Sequence, residues 1–507
     1  MPNTYSRRQF LHSAGGLTLL ALIPIGKGLF AADKKLMPMT LPIFTALPYI
    51  QPGPEGRLIS GAEVTRLAWQ TEGIPANFEV NFSQDYSFFR SAEIHCTSRD
   101  YTGPADKGSR LNYVSSFTSL ELGTKYYYRV RCNNNIIIEG YFTTRQPRGL
   151  KIRFVAFGDN SFGDPSERAI AYQAYRVNPD FVMNTGDNVY DSGLDTEYSR
   201  YFFPVYNADV ANSTIGAPLL RSIPFYTVLA NHDVYGKHPA KNNIACANFE
   251  QNADSLAYYT NFYFPLNGLQ DPKYPTLVYG PIKQIEDFKA CCGSRFPTMA
   301  NYSFDVGDAH FLCLDSNNYT DATDDSLQLW INADLIGSDA RWKFVIYHHG
   351  AFNVGLEHRY EQQMRVLSPI FEAHGVNIVL SGHEHNYQRT VPLHFSPKDT
   401  SKAHNLHSEN RIISGDFQLD LNFDGLNHTK ANGIIYITTG AGGKYLYDTE
   451  FNNDPSKLLI HEDHNIEYTI KMVSDRHSLT VFDLDSNELI MRQIDEQGNE
   501  IDRIRLT

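Results

Sequence analysis

The stretch that follows residue 40 is dominated by short runs in which apolar and polar residues alternate. The alternation is clear in "EVTRLAWQT", residues 63–71, "ANFEVNFS", residues 76–83, and "YYYRVRC", residues 126–132, with turn residues between them. A period of two places successive side chains on opposite faces of an extended strand. We therefore predict a small antiparallel β-sandwich over residues 41–148, which ends in the linker "RQPRG", residues 145–149.

A different pattern begins near residue 150, where apolar runs of strand length alternate with segments of helical period. The runs "KIRFVAFGD", "DFVMNTGD", "RWKFVIYHHG" and "VNIVLSGHEH" flank helical stretches such as "PSERAIAYQAYRVNP". This alternation indicates an α/β domain over residues 150–507, whose last thirty residues return to strands. Ligands bind such domains at the carboxyl ends of the strands. Two segments of little periodicity, Tyr235–Pro297 and Phe395–Gly433, are interpreted as insertions over or beside that edge.

The first 32 residues predict an export signal. The segment Ser6–Leu11, "SRRQFL", precedes the apolar run "LTLLALIPIG". Its paired Arg7 and Arg8 resemble a twin-arginine signal, and the alternative is an ordinary basic export signal. The run is too short to span a bilayer comfortably, and no cysteine precedes Cys96 to carry a lipid. We expect an exported protein, periplasmic or secreted, without a stable membrane anchor.

Composition narrows the class of partner. The 507 residues carry a formal net charge of −13 without a basic stripe, so no nucleic-acid-binding surface is evident. An anionic substrate has to be held locally, as a metal centre does. Six cysteines permit disulfides in an exported chain. The candidate pairs are Cys96 with Cys132, and Cys246 with Cys291 or Cys292. Cys313 lies in an apolar run, which predicts a buried apolar role.

Five clusters of polar residues follow predicted strands of the α/β domain. They are Asp159 in "FGDNS", Asp187 and Tyr190 in "TGDNVYDSG", Asn231, His232 and Asp233 in "LANHDVYG", His348 and His349 in "VIYHHG", and His383 and His385 in "LSGHEHNYQR". Each alone is a weak signal, because a histidine beside an apolar strand is more often structural. Together, carboxylates and an amide oxygen mixed with imidazoles suit iron, manganese or zinc.

The last cluster suggests more than one ion. His383 and His385 point to opposite sides of an extended chain, so they serve two ions only if the chain turns between them. Gly382 makes a turn there an expectation. One bridging carboxylate with ligands on either side holds two ions about 4 Å apart. At this spacing a metal pair binds both the attacking and the leaving oxygen of a phosphoryl transfer.

The order GD, GDxxY, NHD, VxxH and GHxH resembles the purple acid phosphatases, a family of calcineurin-like metallophosphoesterases. The resemblance implies an α/β metallophosphoesterase fold, an α/β sandwich, preceded by a small all-β fibronectin type III-like domain; the run "LELGTKYYYRVR" is similar to a late strand of such a domain. It implies an iron(III) ion and a divalent ion, which is iron, zinc or manganese. The implied ligands are Asp159, Tyr190 and His385 on iron(III), Asn231, His348 and His383 on the divalent ion, and Asp187 as the bridge.

The same resemblance implies an acid phosphatase that hydrolyses phosphate monoesters with a metal-bound hydroxide. His232 and His358 would contact the phosphate, and His358 would protonate the leaving group. One alternative is a phosphodiesterase or nucleotide pyrophosphatase on the same metal site. Another is a non-catalytic secreted binding protein. The natural substrate and the oligomeric state stay open.

Three of these assignments have structural alternatives. Tyr190 is one of 31 tyrosines and packs in a core if it is not a ligand. His349 competes with His348 for the same role, and His358 is a solvated loop residue if it is not catalytic. Asp233 is expected to tighten its turn or to hold a neighbouring histidine.

The sequence also departs from the family's pattern at two small residues. Ser161 and Ala230 stand where the first and third motifs commonly carry glycine. Both substitutions put the loop geometry around Asp159 and Asn231 in question.

Overall fold

The computed structural model describes residues 41–73, 75–102, 107–234, 245–246, 256–270, 278–451 and 467–507. The predicted export signal lies outside them. None of the helices in these ranges is long and apolar enough to cross a membrane. An all-β unit comes first along the described chain, and an α/β unit that carries the polar strand ends follows it.

The all-β unit consists of two antiparallel four-stranded sheets that share one core. One sheet has the order β1 (Phe44–Pro52), β2 (Glu63–Glu72), β6 (Lys107–Leu120), β5 (Ile94–Thr102), and the other β4 (Arg90–Ala92), β3 (Phe78–Ser83), β7 (Lys125–Cys132), β8 (Asn135–Thr143). Residues of both sheets, among them Trp69 and Phe82, pack in the same cluster. The predicted sandwich over residues 41–148 therefore corresponds to these eight strands, and the fibronectin type III likeness stays a prediction.

Two larger sheets form the α/β unit. The six-stranded sheet has the order β11 (Phe225–Thr227), β10 (Phe181–Asn184), β9 (Ile152–Phe157), β23 (Ser478–Leu484), β24 (Leu489–Asp495), β25 (Glu500–Leu506). The seven-stranded sheet has the order β14 (Tyr302–Val306), β15 (Ala309–Cys313), β16 (Trp342–His349), β17 (Ile378–Gly382), β21 (Ile435–Thr439), β18 (Tyr387–Thr390), β22 (Thr469–Val473). Strands β9 to β11 are parallel, as are β15, β16, β17 and β21.

Helices and two small sheets complete the described chain. The helices are α1 (Pro165–Arg176), α2 (Asp195–Glu197), α3 (Phe203–Tyr206), α4 (Leu256–Asn261), α5 (Ile282–Cys292), α6 (Asp325–Ile336) and α7 (Ser368–Ala373). The small sheets pair β12 (Ala245–Cys246) with β13 (Val278–Tyr279) and β19 (Leu393–Asp399) with β20 (Ser414–Leu419). Both lie in or beside the two predicted insertions.

The two large sheets pack against each other through aromatic side chains. Phe154 of β9 lies 5.1 Å from Phe311 of β15 and 5.2 Å from Phe344 of β16, measured between ring centroids. Along β16, Phe344 belongs to this inter-sheet core, whereas Val345 and Tyr347 pack in a second cluster with residues of α6 and α7. The apolar run "WKFVIY" is continuous because both of its faces are buried. The α/β domain predicted from the strand and helix pattern is therefore confirmed, and its two packed sheets agree with the sandwich that the resemblance implied.

The cysteines correct one expectation. Cys96 on β5 is exposed, Cys132 on β7 is buried, and both are free thiols, so the candidate bridge between them is wrong. The two residues lie in opposite sheets, Cys96 exposed on the edge strand β5 and Cys132 buried on β7. Cys313 is fully buried, as its apolar surroundings predicted. The side chain of Cys246 lies outside the described residues.

Candidate metal centre

The polar strand ends of both large sheets meet at one edge of the α/β unit. Asp159, Asp187 and Asn231 follow the parallel strands β9, β10 and β11, His348 and His349 close β16, and His383 follows β17. Because parallel strands present their carboxyl ends at the same edge, segments far apart in sequence converge there. Two groups each hold three possible metal ligands whose ligand atoms lie within 4.8 Å of one another. They are Asp159, Asp187 and His348, and His349, Glu361 and His383.

Three of the predicted ligands lie in an unusual backbone conformation. Asp159, Asp187 and His383 have φ angles of +57°, +53° and +68°. Residues other than glycine seldom adopt this left-handed backbone conformation, and those that do are concentrated at functional sites. The turn that separates His383 from His385 is therefore made by His383 itself, and not by Gly382 as the sequence suggested. Gly382 instead permits close approach, because a Cβ atom there would lie 2.4 Å from Asp159 Oδ2.

Tyr190 lies at the centre of the first group of predicted ligands. Its hydroxyl is 2.9 Å from Asp187 Oδ2, 3.5 Å from Asp159 Oδ1 and 3.3 Å from His385 Nε2. His385 Nε2 is in turn 3.6 Å from Asp159 Oδ1. Tyr190 is buried, so the phenol is not an ordinary surface tyrosine. The geometry brings together the whole set predicted for the iron(III) ion and its bridge.

His348 and His383 extend the cluster beyond the residues around Tyr190. His348 Nε2 is 3.4 Å from Asp187 Oδ2 and 3.1 Å from His383 Nδ1. Two imidazole nitrogens and a carboxylate oxygen that face one another at this spacing require a proton or a cation between them. A metal ion meets that requirement with the ligand types that are present.

Hydrogen bonds behind two of the histidines fix the tautomer that a metal needs. His348 Nδ1 donates to the Thr185 carbonyl over 2.9 Å, and His385 Nδ1 donates to the Tyr445 carbonyl over 2.9 Å. Each imidazole therefore turns Nε2 toward the carboxylates. Such backbone acceptors orient metal-ligating histidines and make them more basic.

Asn231 supplies an independent test of the fit. Its Oδ1 is buried and has no hydrogen-bond partner among the described residues. The turn that carries it is held against the cluster, since the backbone N–H of His232 donates to Asp187 Oδ1 over 2.9 Å. A buried amide oxygen without a partner is costly, and coordination of a cation removes that cost. The residues present thus fit a metal pair.

The pKa values of the clustered residues are shifted by burial and by the charges of the neighbouring carboxylates and histidines. Burial and the neighbouring Asp187 raise the pKa of Asp159 above its usual range. Burial alone would raise the pKa of Asp187 as well, but His348 and His232 hold it below that range. Although burial lowers it, the Asp187 and Asp159 carboxylates raise the pKa of His348 to about 9. Burial lowers the pKa of His385 to about 3, which keeps that imidazole neutral, as a metal ligand must be.

The two residues predicted to contact substrate flank this cluster. The His232 ring lies 4.4 Å from the Tyr190 ring, and its Nδ1 is 2.8 Å from the Asp191 carbonyl oxygen. His358 packs on His383 with ring centroids 3.6 Å apart, and about a quarter of its side chain is exposed. Both are thus within the reach of a ligand at the cluster.

Glu361 is a buried carboxylate that sequence reasoning missed. Its Oε1 is 2.8 Å from His358 Nδ1 and 3.0 Å from His383 Nε2, and its Oε2 is 3.7 Å from His349 Nε2. His349 therefore faces Glu361 and His383, whereas His348 faces Asp187. The only sequence signal was the position of Glu361 three residues after His358, inside a segment without periodicity.

The region after β21 contributes two more unpredicted contacts. Lys444 Nζ lies 3.9 Å from the ring centroids of both Phe162 and Tyr190. Tyr447 stacks on His385 with centroids 4.1 Å apart and planes 8° apart. These residues cover the Tyr190 side of the cluster.

The departures from glycine at Ser161 and Ala230 are accommodated. Ser161 Oγ donates to Asp164 and its backbone N–H donates to Glu167 over 3.1 Å, so the loop after β9 closes. Asp233 holds the third loop, because its Oδ2 accepts from the backbone N–H groups of Asp187 and Ala230. Of the two roles expected for Asp233, the geometry matches the tightened turn.

Comparison with known proteins agrees with this architecture. Residues 152–387 match the family model described as calcineurin-like phosphoesterase. The solved structure of purple acid phosphatase PPD1 from yellow lupin (Lupinus luteus) seeds superposes with a TM-score of 0.62 at 16% identity, covering 91% of this chain and 74% of that one. The chain has a metallophosphoesterase fold. The structure of PhoD matches this fold with a TM-score of 0.53 at 12% identity, covering 91% of this chain and 94% of that one.

Sequence relatives of this metallophosphoesterase domain are distant. Purple acid phosphatase 17 of Arabidopsis thaliana is 25% identical over 255 residues, which cover 49% of this chain and 65% of the relative. Tartrate-resistant acid phosphatase type 5 of Rattus norvegicus is 25% identical over 248 residues, which cover 47% of this chain and 67% of the relative. The match to the first of these spans a little less than two thirds of its length.

Proposed function

We propose that this chain is a metal-dependent phosphatase that hydrolyses phosphate monoesters at a dinuclear centre. The observation that carries the proposal is a cluster of six side chains, contributed by the carboxyl ends of four separate strands, with the Asp187 carboxylate among them. They are Asp159, Asp187, Tyr190, His348, His383 and His385. The purple acid phosphatase relatives support the same reaction class.

The proposed ligands divide between two positions that share Asp187. Asp159, Tyr190 and His385 would hold iron(III), and Asn231, His348 and His383 would hold a divalent ion, which is iron, zinc or manganese. When bound, such a pair activates water for attack and neutralises phosphate charge. The unpartnered Oδ1 of Asn231 and the tautomers of His348 and His385 support these assignments.

Two histidines are proposed to act on the substrate. His232, held by the Asp191 carbonyl over 2.8 Å, would bind a phosphate oxygen. His358, which Glu361 holds over 2.8 Å, would donate a proton to the leaving oxygen. Because the leaving oxygen takes its proton from a protonated His358, activity is expected to be highest in mildly acidic solution. A rate on an aryl phosphate that climbs steadily to pH 9 would contradict this step.

Metal analysis together with the visible spectrum tests the centre directly. A phenolate on iron(III) gives a ligand-to-metal charge-transfer band that colours the protein violet. We expect this colour in the purified protein and its loss in Tyr190→Phe. Tyr347→Phe is the matched control, since Tyr347 is equally buried but packs in the helix-side core. A Tyr190→Phe protein that keeps the colour rules out the ligand assignment.

Substrate preference separates the proposal from its closest alternative. A phosphodiesterase or nucleotide pyrophosphatase uses the same ligands when the surrounding loops admit a second ester group. Rates on 4-nitrophenyl phosphate and bis(4-nitrophenyl) phosphate distinguish the two, and we expect the monoester to be faster. Purified protein without metal and without turnover on either compound would instead support a binding protein.

Export by the twin-arginine route is part of the proposal. It is supported by Arg7 and Arg8 before an apolar run. A variant with both arginines replaced by lysine is expected to stay in the cytoplasm, while the unchanged chain is exported. Equal export of both proteins would indicate an ordinary export signal.

A further inference from the structure

A buried ion cluster joins the all-β unit to the metallophosphoesterase domain. Asp195, fully buried, accepts from Arg99 Nη2 through Oδ1 and from Arg110 Nε over 2.8 Å through Oδ2. Arg99 lies on β5 and Arg110 on β6, so both arginines belong to the all-β unit. Arg110 also pairs with Glu72 over 3.0 Å, and Arg99 also donates to Thr260 of α4.

Asp195 opens a short helix that holds the loop of the candidate site. In the same turn of α2, the Glu197 carboxylate accepts from the backbone N–H groups of Asp191, Ser192 and Leu194 over 2.6, 3.2 and 2.8 Å. Of the four residues between Tyr190 and Asp195, all but Gly193 are thus hydrogen-bonded to α2. The position of α2 therefore sets the position of the Asp191 peptide.

The Asp191 peptide in turn orients His232. Its carbonyl oxygen lies 2.8 Å from His232 Nδ1, and the imidazole packs against Tyr190 at 4.4 Å between ring centroids. A hydrogen bond to Nδ1 selects the face and tautomer that the histidine presents. A continuous path of contacts thus leads from two arginines of the all-β unit to an imidazole of the site.

We propose that Arg99 and Arg110 are positioning residues for His232, which makes the all-β unit a working part of the phosphatase site. The inference rests on the proposed function, because His232 matters only if the site turns over phosphate esters. Arginine suits the task, since its planar guanidinium fixes a carboxylate in direction as well as in distance. Displacement of a catalytic group by about 1 Å is enough to cost up to about a hundredfold in rate.

The test is a double-mutant cycle between Arg110→Met and His232→Ala. Alone, Arg110→Met is expected to lower kcat/KM on 4-nitrophenyl phosphate by about tenfold, with metal content unchanged. In the His232→Ala background the same change is expected to lower it by less than about twofold, because the residue that it positions is gone. Equal losses in both backgrounds would overturn the inference, as would no loss in either.

A matched control lies elsewhere on the same interface. Arg145 holds Glu63 with two hydrogen bonds of 2.7 Å and reaches the Asp305 carbonyl, and none of its hydrogen-bond partners among the described residues lies in a loop of the site. Arg145→Met is expected to lower stability and to leave kcat/KM unchanged. A loss of kcat/KM as large as that of Arg110→Met would mean that the interface acts only by general stability.

Hydrogen exchange gives a second readout that needs no metal and no turnover. The amides of Asp191, Ser192 and Leu194 are expected to exchange faster in Arg110→Met than in the unchanged protein, and not in Arg145→Met. If Arg110→Met does not fold, Arg110→Lys keeps the charge, loses the planar fork and is expected to show the same changes at smaller size. Unchanged exchange at these amides would overturn the inference, whereas faster exchange in a protein without phosphatase activity would contradict only the proposed function.

Discussion

Two buried histidine clusters in the α/β unit differ in how their charges are balanced. His310 lies between Asp305 and Asp334, at 2.7 and 2.8 Å, and Arg57 reaches both carboxylates. In the candidate metal centre, the carboxylates Asp159 and Asp187 pair with histidines, and no arginine or lysine of the described ranges forms an ion pair with them.

The difference shows which cluster needs a partner from outside the chain. Around His310 every charge has a counter-charge supplied by the protein, and both ring nitrogens are occupied. Around Asp187 the buried acids and imidazoles face one another, and the Asn231 Oδ1 nearby has no partner. Burial of unbalanced charge is expensive, so the second cluster is built for a cation and the first for stability.

The largest expected effect comes from Asp187→Asn. We expect kcat/KM on 4-nitrophenyl phosphate to fall at least about 10³-fold, which is about 4 kcal/mol of transition-state stabilisation, because the bridge between the ions is lost. In metal-free protein, Asp159→Asn is expected to raise the free energy of unfolding at neutral pH, because burial raises the pKa of Asp159 and its charge therefore costs stability. Urea unfolding after chelation measures this. A metal-free variant that unfolds at lower urea than the metal-free parent would contradict the comparison.

His310→Leu should show the reverse profile. Removal of the imidazole leaves Asp305 and Asp334 buried without it, so the free energy of unfolding is expected to fall by about 3–5 kcal/mol. For the protein that stays folded, kcat/KM and metal content are expected to be unchanged, because the cluster lies away from the strand ends that carry the ligands. Urea unfolding combined with metal analysis checks both parts, and loss of metal would show that the two clusters are coupled.

Sequence reasoning predicted the metal cluster better than the His310 cluster for a physical reason. Asp159, Asp187 and His348 each follow an apolar strand, and the carboxyl ends of parallel strands must meet, so local pattern gave the location. The α/β sandwich followed in the same way from runs such as "KIRFVAFGD" and "RWKFVIYHHG".

Contacts made by irregular segments were not predictable in this way. Glu361 and Lys444 approach the ligands along loops whose path depends on tertiary packing, and Arg110 meets Asp195 across a unit boundary. The turn at His383 was assigned to Gly382 because a positive φ is a property of glycine in isolated chains, whereas here the packing around Asp159 imposes it.

A smaller effect is expected from pH on stability. Burial lowers the pKa of His310, but the hydrogen bonds that its ring donates to Asp305 and Asp334 outweigh this effect and raise that pKa above its ordinary value of about 6.5. The stabilisation is therefore complete below about pH 6.5 and is lost as pH rises through the raised pKa of the folded protein. Unfolding of metal-free protein at pH 6 and pH 9 measures it, with His310→Leu as the control that lacks this slope. Equal slopes in both proteins would show that His310 does not titrate in this window.

The smallest effect concerns Lys444, whose ammonium group lies over the Tyr190 ring. Its Nζ lies 3.9 Å from the Tyr190 ring centroid, and Phe162 closes the other side at the same distance. A positive charge over the ring stabilises a Tyr190 phenolate, so Lys444→Met is expected to lower the energy of the violet band. Lys444 is buried, and a cation–π contact away from solvent is worth about 1–2 kcal/mol, which corresponds to a red shift of roughly ten to twenty nanometres.

Lys444→Arg keeps the charge over the ring and is expected to leave the band in place. This control distinguishes the effect of the charge on the band from the effect of side-chain packing. A band that does not move in Lys444→Met, in a protein whose colour depends on Tyr190, would mean that the phenolate is insensitive to this cation. The metal pair would then supply the whole positive charge of the centre. In that case the contrast with the His310 cluster becomes sharper, because no lysine or arginine of the described ranges would then contribute counter-charge to Asp159, Asp187 and Tyr190.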